Sequence, residues 1–143
     1  MKEIHILLVE DNEGDIVLTM EALDDARLHN KISVKKDGAA ALDFLFDLSE
    51  NDIDNLPDLI LLDINLPKID GKEVLNQVKS HEILKKIPVV MLTTSSSELD
   101  ITEAYKSHAN CYITKPVDLN KFFDIVKAIE NFWISIVKLP SKD

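Results

Sequence analysis

The chain has 143 residues, 45% of them hydrophobic, and a formal net charge of −10. That length fits one ordinary domain, and that apolar fraction supports a real core, which excludes a disordered chain. So acidic a surface repels phosphate backbones, so no nucleic-acid partner is expected, and no apolar run approaches the roughly 20 residues needed to span a bilayer, so no membrane partner is expected either.

Residues 4–9 form a near-continuous apolar run ending at Glu10, the pattern of a buried parallel strand. The sequence before it lacks the features of a signal peptide, and the single cysteine, Cys111, excludes an internal disulfide; a cytoplasmic setting is expected. After a polar stretch, Ile16, Met20 and Leu23 recur at helical spacing, with Asp15 suited to the N-cap. Residues 32–36 read as a second strand, and Ala41, Leu42 and Leu45 mark a second helix. Residues 49–56 read as a polar loop.

Residues 59–62 are the most apolar strand and stop abruptly at Asp63. Pro67, Asp70 and Gly71 mark a turn, and Val74, Leu75 and Val78 a third helix. Residues 89–92 form a fourth strand, followed by a run of hydroxyl residues from Thr93. Ile101, Ala104, Tyr105 and His108 mark a weaker fourth helix, and residues 111–113 a fifth strand ending near Lys115 and Pro116. A last helix is expected over 118–137, with a stripe of Leu119, Phe122, Val126, Ile129 and Trp133.

Strands alternating with helices imply an α/β fold with a doubly wound parallel sheet, and five strands point to the flavodoxin-like order 2-1-3-4-5. Ligands in such sheets bind past the carboxyl ends of the strands where the order reverses, here between the first and third strands. Glu10, Asp11, Asp63, Thr93 and Lys115 should all meet there. Carboxylates at about 4 Å repel by roughly 4 kcal/mol near a protein surface, and a divalent cation relieves this. Magnesium favours oxygen ligands, keeps several waters and bridges carboxylates to phosphate oxygens, so a magnesium and phosphoryl site is expected. Asp63 is suited to attack phosphorus, with Lys115 offsetting charge on the transferred oxygens. Thr93 could donate to a phosphate oxygen, and Asn65 could offer its backbone carbonyl to the metal.

The set Glu10-Asp11, Asp63 within Leu-Leu-Asp-Ile-Asn-Leu-Pro-Lys-Ile-Asp-Gly, Thr93, Tyr112 and Lys115-Pro116 resembles the receiver domains of two-component response regulators. The resemblance covers nearly the whole chain, a single receiver domain over 1–143 with an extended C-terminal helix and a short tail. Leu8-Val9-Glu10-Asp11-Asn12, Asn110-Cys111-Tyr112 and Asn131-Phe132-Trp133 look like the subgroup partnered with phytochromes. The resemblance implies a sensor histidine kinase as donor to Asp63, with magnesium served by Glu10, Asp11, Asp63 and the carbonyl of Asn65. It implies a signalling switch with self-phosphorylation and autodephosphorylation chemistry, not a conventional enzyme. It further implies that Thr93 swings toward the phosphate, that Tyr112 turns inward, and that the face of the fourth helix, fifth strand and last helix changes. Lys115-Pro116 resembles the family's cis peptide, which aims the lysine. Thr94 departs from the very small residue usual after the switch threonine, which bears on the lifetime of the phosphate.

No output domain follows the last helix in the sequence, so the signal is expected to pass to an effector or phosphotransfer protein. Phe123, Ile125, Phe132, Ile134 and Ile136 make the last helix apolar nearly all round. Packing against the tail at 137–140 is one account; a homodimer through the fifth strand and last helix is the expected one. A phosphatase of the haloacid-dehalogenase type needs a second acid two residues after the nucleophile, where Asn65 stands. A flavodoxin needs a phosphate-cradling loop where Glu10 and Asp11 would repel the ligand.

Overall fold

The computed structural model describes residues 3–25, 30–93 and 111–115, together with Asn120 and Asp124. Five strands, β1 (Ile4–Val9), β2 (Asn30–Lys35), β3 (Leu59–Asp63), β4 (Val89–Thr93) and β5 (Cys111–Thr114), form one parallel sheet in the order β2-β1-β3-β4-β5. This is the expected order. Three helices connect the first four strands: α1 (Glu13–Asp25), α2 (Gly38–Asn51) and α3 (Gly71–Ser80). Among the described residues, no helix is long and apolar enough to cross a membrane. The helix expected around 101–108, most of the helix expected over 118–137, the side chain of Tyr112, Thr94 and Pro116 lie outside the described residues.

Alternation along the strands divides the core in two. Leu7, Val9, Ile60, Leu62, Val89 and Met91 pack with the apolar stripes of α2 and α3. Ile6, Leu8, Leu59, Leu61, Val90, Leu92 and Ile113 pack on the opposite face with Ile16 and Leu23 of α1. Every residue of β3 is buried, as a central strand covered on both faces requires.

Several local expectations change. The N-cap of α1 is Asn12, whose Oδ1 accepts from the Asp15 N–H at 2.9 Å; Asp15 lies in the first turn. The cap moves upstream because Asn12 supplies the side-chain oxygen to an orphan donor, as caps do. Met20 is 40% exposed, and the buried positions of α1 are Ile16, Thr19 and Leu23. The strand expected over 32–36 begins at Asn30 and ends at Lys35. The loop expected over 49–56 is the end of α2 followed by a 3-10 turn, Ile53–Asn55. Ser49 keeps its place in the helix by donating its hydroxyl to the Phe46 carbonyl at 2.8 Å.

The segment between β3 and α3 is pinned by close approach. A Cβ on Gly71 would lie 2.1 Å from the Asp63 carbonyl oxygen, and one on Gly38 would lie 2.0 Å from that of Ile69. The Gly71 N–H donates to the Ile64 carbonyl at 2.9 Å, and Asp70 caps α3 by accepting from the Glu73 N–H at 3.0 Å. Between them Lys68 takes a φ of 68°, the left-handed region. Gly71→Ala is expected to destabilise the fold by about 2–3 kcal/mol, the scale of overpacking against an atom that cannot yield. Urea unfolding checks this, and a variant as stable as the parent would show that the backbone contact is soft.

Candidate functional site

The ladder sets the site before any side chain is considered. Val9 pairs with Leu62, so Glu10 comes level with Asp63, and Asp63 pairs with Leu92, one residue before Thr93. Thr93 pairs with Thr114, one residue before Lys115. Backbone bonds extend this register past the strands: Glu10 N–H to the Lys35 carbonyl at 3.0 Å, Ile64 to Leu92 at 3.1 Å, and Lys115 to Thr93 at 2.7 Å. By alternation Glu10, Asp63 and Lys115 continue the α1 side of the sheet, after Leu8, Leu61 and Ile113.

One carboxylate oxygen from each of Glu10, Asp11 and Asp63 falls within 4.8 Å of the others. Glu10 and Asp63 are buried at 0% and 3% exposure, and Asp11 is exposed. The Lys115 Nζ reaches this cluster from β5, 2.9 Å from Glu10 Oε1 and 3.2 Å from Asp63 Oδ2. It also lies 3.1 Å from Asp15 Oδ2, on the first turn of α1. The Asn65 N–H donates to Asp63 Oδ1 at 3.2 Å, so the two oxygens of Asp63 face different partners. Thr93 ends β4 at 1% exposure.

Of the expected site residues, the structure therefore brings Glu10, Asp11, Asp63 and Lys115 together and sets Asn65 and Thr93 at the adjoining backbone. Asp15, which the sequence suits to an N-cap, instead reaches the Lys115 ammonium of the site. Its signal was available: the first turn of a helix that directly follows strand 1 must lie over the same edge.

Electrostatics explain why the acids need a partner. Burial, and after it the neighbouring Asp63, raise the Glu10 carboxyl from its ordinary 4.5 to about 7, although the Lys115 ammonium opposes the shift. Burial pulls the Lys115 ammonium down, but Glu10, Asp15 and Asp63 outweigh it and raise its pKa overall. Glu10 Oε1 is buried and, despite its nearness to Lys115, accepts no hydrogen bond. An all-oxygen donor set with one such orphaned atom fits a hard divalent cation. Glu10, Asp11 and Asp63 are the residues able to hold it.

A proton on Glu10 competes with that cation. Because its pKa in the metal-free fold is raised, Glu10 favours the fold most below 4.5, and this contribution is lost as the pH rises through about 7. Cation binding must expel the proton. Magnesium affinity is expected to level off above pH 7 and to weaken by up to about tenfold between pH 7 and 6. Calorimetric titration checks this; an affinity flat between pH 6 and 8 would show that no proton on Glu10 competes with the cation.

Residues 6–127 match the response regulator receiver domain family. The chain is 46% identical to the response regulator Rcp1 of Synechocystis sp. over 136 residues, 95% of this chain and 92% of that one. The structure of the phosphorylated cyanobacterial phytochrome response regulator RcpA is similar at a TM-score of 0.76 and 48% identity, covering 97% of this chain and 99% of that one. The Mn2+-bound form of Rcp1 is similar at a TM-score of 0.72 and 45% identity, covering 96% and 99%. The acidic cluster and this metal-bound relative together support a divalent metal at the sheet edge. The chain belongs to the response regulator receiver domain family of two-component signalling.

Proposed function

We propose that this receiver accepts a phosphoryl group on Asp63 from the phosphohistidine of a sensor histidine kinase, and that magnesium is the cation of the reaction. The observation that carries the proposal is the Lys115 ammonium placed 3.2 Å from a buried Asp63 carboxylate beside two further acids. A carboxylate oxygen of Asp63 forms the new P–O bond as the P–N bond to histidine breaks. Glu10, Asp11, Asp63 and the backbone carbonyl of Asn65 serve the magnesium, which when bound offsets negative charge on the phosphoryl oxygens. Lys115 donates to a phosphoryl oxygen, and the Thr93 hydroxyl donates to another. Asn65 cannot act as the general acid of a phosphatase, so the acyl phosphate serves as a state and not as a turnover intermediate.

The similarity to RcpA and Rcp1 supports a phytochrome as the kinase. The signal then passes from Thr93 and Tyr112 to a partner protein or a phosphotransfer protein, in a cytoplasmic setting and without nucleic acid. A homodimer through β5 and the last helix is part of the proposal, supported by the apolar residues that the sequence carries there.

Incubation with acetyl phosphate and magnesium is expected to add one phosphoryl mass to the parent and none to Asp63→Asn. An adduct persisting unchanged in Asp63→Asn would overturn the assignment. Sedimentation is expected to show a dimer at micromolar concentration; a monomer at every concentration, with and without phosphorylation, would remove the dimer from the proposal.

A further inference from the structure

We propose that Asp15 is a positioning residue, holding the Lys115 ammonium in place for chemistry at Asp63; the inference rests on the proposed function above. Lysine carries its charge on a flexible four-carbon stem, and its ammonium has three donors. Here the root of Lys115 is fixed by its backbone bond to Thr93 at 2.7 Å, and its tip meets Glu10, Asp63 and Asp15. These three partners are not equivalent. Glu10 and Asp63 belong to the cluster that a cation engages, and Asp63 is itself consumed when it takes the phosphoryl group. Asp15 lies outside that cluster, on the first turn of α1, so it alone of the three stays a carboxylate partner for the ammonium throughout the reaction.

The local structure suits the task. Asn12 takes the capping role through its bond to the Asp15 N–H at 2.9 Å, which leaves the Asp15 carboxylate to reach Lys115 at 3.1 Å. A carboxylate in the first turn of a helix is also favoured there by the helix dipole. With Asp15 holding one N–H, the ammonium stays between Glu10 and Asp63 and is not drawn onto Glu10 alone.

The test compares the full-length parent, Asp15→Asn, Lys115→Met and the double variant in phosphorylation by acetyl phosphate with magnesium. Asp15→Asn is nearly isosteric, and Asp15→Ser is a second variant without the charge. Each charge-removing variant is expected to lower the maximal rate by roughly 10-fold, the scale on which partners that orient a site ligand act. The half-saturating donor concentration and the magnesium affinity are expected to stay at parental values. In the Lys115→Met background, Asp15→Asn is expected to cost nothing further. Losses that multiply in the double variant, or a parental maximal rate in both Asp15 variants, would overturn the inference.

A second readout needs no phosphorylation. The Lys115 ammonium signal in nitrogen-labelled protein is expected to exchange with water faster in Asp15→Asn than in the parent, and unchanged exchange overturns the inference. If the parent takes no phosphoryl group on Asp63, the proposed function fails, while the exchange measurement still decides whether Asp15 holds Lys115.

Discussion

The structure depends on one imbalance: among the described residues, buried acids at the carboxyl edge of the sheet meet a single ammonium, that of Lys115. Glu10 and Asp63 are almost wholly removed from water, and Asp11 and Asp15 stand beside them. Two unit charges at about 4 Å repel by roughly 4 kcal/mol near a protein surface, against a total stability of about 5–15 kcal/mol for a domain. A fold cannot carry several such repulsions uncompensated. Lys115 removes part of the burden, and a proton retained on Glu10 up to about neutral pH removes more. A divalent cation held by Glu10, Asp11 and Asp63 would replace that proton with a charge of the same sign and a larger effect. The excess of acids over cations at this edge suits it to bind a divalent cation.

Such crowding is tolerable only on a frame that does not spread. The frame is the sheet, with β1 and β3 buried between two apolar layers and their register continued by backbone bonds beyond Val9 and Asp63. Gly71 adds a second restraint, since its backbone sits where no side-chain carbon fits against the Asp63 carbonyl. The carboxylate of Asp63 therefore projects from a residue held on its own strand, by both neighbouring strands and by the start of α3. Relaxation by moving Asp63 away from Glu10 would break ladder bonds that each contribute about 1 kcal/mol, and would leave buried polar groups unpaired at greater cost.

What the sequence made legible follows from which signals are local and which are periodic. β1 and β3 appeared because continuous apolar runs ending in acids have few other readings, and the strand order followed from the alternation of strands with helices. Glu10, Asp11, Asp63 and Lys115 were found by asking what lies at strand ends, without knowledge of any contact. Asp15 escaped because two acceptable caps, Asn12 and Asp15, stand three residues apart, and the propensity of either is satisfied by a bond whose partner only the backbone fixes. Met20 was misplaced for a related reason. Steps of three and four are equally helical in sequence, and the packing of α1 against the sheet selects Thr19 in place of the more apolar residue. The end of α2 was hidden because Glu50 and Asn51 face water on the last turn of an amphipathic helix as readily as they fill a loop, while Ser49 turns inward with its hydroxyl on the Phe46 carbonyl.

The arrangement also bears on how a chemical change at this edge reaches a surface. Lys115 and Thr93 are joined by a backbone hydrogen bond of 2.7 Å, so the proposed phosphate donor on β5 and the proposed switch residue on β4 share one ladder rung. Two rungs earlier, Met91 pairs with Tyr112. Under the proposed function, a shift in the backbone at Thr93 would reach Tyr112 over a few residues of strand, at about 3.3 Å each, with no need for a route through the core. Where the shift is taken up depends on which side of the rung yields. β4 is fully buried and lies between β3 and β5, whereas β5 has four residues and pairs with β4 alone among the described strands. The strand with the fewest ladder bonds to lose is the one that moves at least cost. In the proposed switch the central strands therefore hold the chemistry in place, and the edge strand carries the response.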